Sequence, residues 1–118
     1  MKIALVWASN NPEKFWNKIL KDLVNKWHTV FPINPKEEII EWIKTYKTIK
    51  DINQDFDIVN FVIKPEIVEK ILENNIDILK GKTVWCQPGA SNTKVEEILK
   101  ENHSNYITNS CIMIEKIN

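Results

Sequence analysis

The residues best placed to do chemistry form an anion cradle, not a catalytic set. Lys2 to Lys14 reads KIALVWASNNPEK. Ile3, Ala4, Leu5 and Val6 make one buried strand, and Trp7, Ala8, Ser9, Asn10 and Asn11 a tight loop. Pro12 then opens a segment whose Phe15, Ile19, Leu20, Leu23 and Val24 have helical spacing. Asn11 suits an N-cap and Pro12 the first helical position, where a missing N–H costs nothing. Such a junction aims unpaired N–H groups and the positive end of a helix dipole above the strand, which favours phosphate. A plain βα turn with no ligand is the competing reading of this stretch. Lys14, Lys36 and Lys64 occupy loops that would bring a cation to the same place. No Ser-His-Asp set, histidine pair or metal cluster is visible, so no catalytic or metal-binding residue is assigned.

These groups need a scaffold, and the composition limits which one. The 118 residues suit a single domain, residues 1–118, able to bury a core without staples. Basic and acidic residues both number 16, so the positive field of a nucleic-acid binder is missing. The apolar runs are too short to span a bilayer and the first residues do not resemble a secretory signal, so no membrane partner is expected and the cytoplasm is. Cys86 and Cys111 fit free thiols in that compartment. Cys86 lies in an apolar strand and reads as a small core residue, whereas Cys111 follows the last strand.

Along the chain, strands are expected at Ile3–Val6, His28–Ile33, Ile58–Ile63, Thr83–Gln87 and Asn105–Thr108. Helices follow Pro12, Pro65 and a Ser91 or Asn92 cap, and a last helical turn follows Cys111. Residues 37–55 read as an irregular connection with a short strand or turn near Thr45–Ile49. Alternating strands and amphipathic helices imply βαβ units and a parallel sheet covered on both faces. The expected fold is α/β, a Rossmann-like three-layer sandwich whose five parallel strands, numbered along the chain, run in the order 3-2-1-4-5. Ligands of such sheets bind outside the carboxyl ends of the strands. The loops to inspect are therefore 7–11, 34–36, 63–65, 87–89 and 109–111.

A nicotinamide dinucleotide site would show GxGxxG in the first loop and an acid after the second strand. Here the first loop is WASNNP and the second strand ends FPINPK, with Lys36 where the acid would be. That favours a phosphorylated nucleotide other than NAD.

Five ordered motifs then become informative as a set: VxASNNPEKFxN at 6–17, HTVFPINP at 28–35, DIVNFVIKPE at 57–66, VWCQPG at 84–89 and NSC at 109–111. Together they resemble, over essentially the whole chain, the small stand-alone CoA-binding domain proteins. The Rossmann-like domain of that family is similar to the amino-terminal domain of the succinyl-CoA synthetase alpha subunit. The resemblance implies that Ala8, Ser9 and Asn10 line the phosphates and that Asn34, Pro35 and Lys36 flank the adenosine end. It also implies that Val62, Ile63, Lys64 and Pro65 lie along the nucleotide, and Gln87, ahead of the Pro88-Gly89 turn, near the pantetheine path. Cys111, at the same edge, is a candidate for a mixed disulfide with the CoA thiol, with a packed free thiol as the alternative.

The departures are as informative. Average usage would give about eight glycines, and the chain has two, Gly81 and Gly89, with five tryptophans. The family pattern has glycine where this chain has Trp7, Trp16, Trp27 and Trp42, and tryptophan where it has Trp85. A left-handed helix cap and a phosphate loop both want glycine. One explanation covers all four positions: a genome in which UGA encodes glycine, read with a table that gives tryptophan. Basic residues that are lysine without exception, with abundant Ile and Asn, fit the AT-rich codon usage expected there. If Trp7 is genuine, CoA affinity should fall severely or vanish. The expected function is non-catalytic binding of coenzyme A or acyl-CoA. The alternatives are a nucleotide-binding subunit of an acyl-CoA ligase that needs a partner chain, and an NAD(H)-binding redox-responsive module. A ligase partner subunit or a second copy in a homodimer are the protein partners left open.

Overall fold

Alternate residues of the first strand face opposite sides of the sheet, and both sides are apolar. The computed structural model describes residues 1–6, 15–36, 39–40 and 43–114. In β1 (Lys2–Val6), Ile3 and Leu5 join Ile19, Leu20 and Leu23 of α1 (Phe15–Asn25). Ala4 and Val6 belong to the other cluster, with Val68 and Leu72 of α2 (Pro65–Leu79) and Val95 and Leu99 of α3 (Thr93–Glu101). A strand apolar on both faces can be covered only as an inner strand of a parallel sheet with helices on each side. That is its position: β1 pairs in parallel with β2 (Thr29–Ile33) and with β5 (Ile58–Phe61). β6 (Thr83–Cys86) pairs with β5 and β7 (Asn105–Ile107) with β6, again in parallel.

The α/β class, the three layers and the five parallel strands are as the sequence predicts. The strand order differs. It is β2-β1-β5-β6-β7, so the third long strand along the chain lies beside the first and not outside the second. Pro32 gives the reason. Its carbonyl accepts from the Tyr46 N–H at 2.9 Å, and the Asn34 N–H donates to the Tyr46 carbonyl at 2.9 Å. That flank of β2 is thus taken by a one-residue bridge from Ile33 to Tyr46, and the proline ring has no N–H to give a full ladder there. β2 is consequently an edge, and β5 takes the open side of β1.

Between β2 and β5 the chain forms an antiparallel ribbon of β3 (Ile39–Ile40) and β4 (Ile43–Lys44), then a 3₁₀ turn at Ile49–Asp51. The turn has a capping box, Thr48 bonding Asp51 through both its N–H and its hydroxyl at 3.1 Å. The β3–β4 ribbon was not expected from the sequence. The start of α3 was: Asn92 is the cap, its Oδ1 accepting from the Val95 N–H at 2.8 Å.

All three helices among the described residues end on a left-handed residue, and the residue types differ. α2 uses Gly81 (φ 78), α3 His103 (φ 53) and α1 Trp27 (φ 67). At the end of α1 the His28 N–H bonds the Leu23 carbonyl at 3.1 Å and the Trp27 N–H bonds that of Val24 at 3.0 Å. This is a complete Schellman closure, with the bulkiest side chain at the position that favours glycine. The indole is 94% exposed and gains nothing from packing there. No described helix is long and apolar enough to cross a membrane.

Candidate functional site

The carboxyl ends of β2, β5 and β6 lie along one rim, and each continues into a segment singled out in the sequence. After β2, Asn34 is buried and its Oδ1 accepts from the Lys36 N–H at 2.8 Å. That Asx turn folds the chain over Pro35 and leaves Pro35 and Lys36 exposed at the rim. After β5, Val62 is buried while Lys64 is exposed, and Pro65 starts α2 at the position where its missing N–H is harmless. After β6, Gln87 leads into Pro88-Gly89, with Gly89 at φ 88. An added Cβ at Gly89 would meet nothing within 4 Å, so glycine is favoured there by its backbone angle and not by crowding.

Gln87 is the anchor of this rim. It is 1% exposed, and its Oε1 accepts from Asn60 Nδ2 at 3.1 Å and from the Ile112 N–H at 2.8 Å. Its Nε2 donates to Cys111 Sγ at 3.2 Å. One side chain thereby ties β5 to the segment after β7, and Trp85 Nε1 adds a bond to the Ser110 carbonyl at 2.8 Å. Asn60, fully buried in an otherwise apolar strand, is the partner that sequence reasoning missed. The amide in DIVNFVI was its signal. Cys111 sits against Gln87, half-buried, whereas Cys86 is buried and its thiol is pushed up to about 12, chiefly by burial and secondarily by Glu96. It stays a protonated core thiol at any ordinary pH.

Val62, Ile63, Lys64, Pro65, Gln87 and Gly89 share the lining of one hollow of about 380 Å³ with Trp16. Trp16 Nε1 donates to the Val62 carbonyl, so an indole flanks the hollow. Asn34, Pro35 and Lys36 stand apart from it, at the β2 end of the rim. The predicted Trp7, Ala8, Ser9, Asn10 and Lys14 lie outside the described residues, as does Trp42. His28 is a structural residue at the opposite end of the sheet. Its Nδ1 is 3.2 Å from the amino-terminal nitrogen, and partial burial, that amine and Lys26 all lower its pKa, against a weaker opposing effect of Asp22.

A parallel sheet wound on both faces, with its hollow at the carboxyl rim, defines a Rossmann-like domain. A family model described as a CoA binding domain matches residues 1–117, and the chain belongs to that family. It is similar to the uncharacterised protein YneT of Bacillus subtilis, 26% identical over 117 residues covering 96% of this chain and 83% of YneT. Over 71 residues, 59% of the chain, it is 32% identical to the alpha subunit of ADP-forming acetate–CoA ligase II of Pyrococcus furiosus, of which it spans 16%. Among solved structures, a conserved hypothetical protein of Pyrococcus furiosus superposes with a TM-score of 0.92 at 36% identity, covering 98% of both chains.

Proposed function

We propose that the protein is a cytoplasmic nucleotide-binding module that holds coenzyme A or acyl-CoA at the carboxyl rim of its sheet and does no chemistry on it. The observation that carries this is the convergence of Val62–Pro65 with Gln87–Gly89 around one hollow at the carboxyl rim, in a chain of the CoA binding domain family. In this reading Lys36 and Lys64 face phosphates and the thiol end runs past Gln87 toward Cys111. Ala8, Ser9, Asn10 and Lys14 complete the phosphate cradle.

Two features support glycine as the native residue at positions 7, 16, 27 and 42. Trp27 has a left-handed backbone with an unpacked ring, and Trp16 places an indole beside the hollow. UGA recoding accounts for both, and the mass of the protein from its native source checks it, since tryptophan at those positions would end the idea. Calorimetric titration with CoA, acetyl-CoA, NAD and ADP, on the chain as written and on Trp7→Gly, tests the binding reading. CoA binding that is stronger in Trp7→Gly is the expected result. Tight NAD binding with no response to CoA would replace it with the redox-module reading.

A second reading has the domain act as the nucleotide-binding subunit of an acyl-CoA ligase, supported by its similarity to a ligase alpha subunit. A gene for an ATP-grasp chain beside this one, and co-purification of the two products, is the result expected of that reading.

A further inference from the structure

The two borders of the sheet differ in what they leave unbonded. At β2 the bridge to Tyr46 and the ring of Pro32 occupy the flank. At β7 the flank is open, and the ladder fixes which groups it exposes. The Thr83 N–H donates to the Asp57 carbonyl and the Gln87 N–H to that of Phe61, so this parity of β6 turns toward β5. Val84 and Cys86 therefore turn toward β7, because alternate residues of a parallel strand bond on opposite sides. Val84 is in register with Tyr106, which sets its bonds to Asn105 and Ile107. Tyr106 consequently points both its N–H and its carbonyl away from β6, and neither has a partner among the described residues.

One residue that offers a donor and an acceptor on the same side is complementary to itself. Two copies related by a two-fold axis at Tyr106 can set their β7 strands antiparallel and exchange both bonds. Such an axis also brings like residues close together, so a charge on the strand would meet its own sign. Residues 104–111 carry no charge, and the lysine or proline that commonly guards an edge is missing from β7. The side chains suit the same pairing. Tyr106 is half-buried on the α3 side of the sheet and would lie beside its symmetry mate. Ile107, 37% exposed, alternates to the other side, where the axis sets it opposite Asn105 of the second copy.

We propose that a second copy of this chain docks on β7, joining the two five-stranded sheets into one across a two-fold axis. The assembly closes at two copies, since each remaining border is a β2 whose flank is already taken. The carboxyl rims then face opposite ways, and the proposal is independent of what the hollow binds. A pairing of three residues is small, so a dissociation constant of about 100 µM is expected.

Sedimentation equilibrium of the chain as written, from about 10 µM to 1 mM, should show one chain passing into two and nothing larger. Amide exchange followed by NMR locates the contact. The Tyr106 N–H should exchange about fivefold more slowly at the highest concentration, while the Ile107 N–H, bonded within the sheet, keeps one rate. Ile107→Lys changes an exposed side chain and should weaken the dimer about tenfold. Val24→Lys, on the exposed side of α1, should leave it unchanged. A single chain at every concentration overturns the proposal, as does growth beyond two copies. So does a dimer in which Tyr106 exchanges no more slowly, or one that Ile107→Lys does not weaken.

Discussion

From β5 to β7 each strand is followed by a helix that returns over the sheet, whereas the connection from β2 to β5 uses a two-strand ribbon, a bridge at Tyr46 and one 3₁₀ turn. The first arrangement buries Val68, Leu72, Val95 and Leu99 completely. The second leaves a cavity over Val6 and Ile33. A helix laid over a sheet fills space with side chains at every turn. A strap fills it only where a residue such as Ile49 happens to point inward. Tight packing and open space thus fall to different stretches of the same domain.

That contrast can be tested by removing equivalent bulk from each part. Leu72→Ala should destabilise the protein by about 3 kcal/mol in urea unfolding, because neighbours packed on all sides lose contacts and leave a void. Ile49→Ala should cost roughly half as much, because its side chain already borders empty space and has fewer contacts to lose. Equal losses would remove the distinction between the two regions.

Next in size is Gln87→Leu. It removes the acceptor of the Ile112 N–H and one of the two acceptors of Asn60 Nδ2 in a dry setting, and a loss of about 2 kcal/mol is expected in the same measurement. A smaller change of opposite sign is expected from Trp27→Gly, which relieves a left-handed backbone and gives up almost no packing. The gain should be about 1 kcal/mol, read as a higher Tm.

The smallest effect belongs to His28. Its folded pKa lies below the ordinary 6.5, so the unfolded chain takes up a proton first as the pH falls. The contribution to stability is present above pH 6.5 and is lost as the pH drops through the folded value. His28→Gln should flatten that part of the stability curve.

Much of the fold was legible in the sequence because its main signals are local. Five apolar runs separated by amphipathic segments give the strands and helices, Pro65 marks the start of α2, and Asn92 that of α3. The order of the strands was not read correctly, although Pro32 carried the information: a proline within a run places that strand at an edge. The β3–β4 ribbon escaped because two-residue strands have no periodicity to detect. At the site, Val62 to Pro65 and Gln87 to Gly89 were legible as loops after strands. The role of Asn60 depends on Gln87 arriving from the neighbouring strand. Contacts between segments so separated leave no trace in local spacing.

Pro32 has a further effect, on the behaviour of many copies together. A foreign strand approaching the outer flank of β2 meets a ring with no hydrogen to offer, and the adjacent carbonyl and amide are already engaged by Tyr46. That border gives a second molecule no template on which to add, so the sheet resists lengthening into a fibre from this side even in concentrated solution.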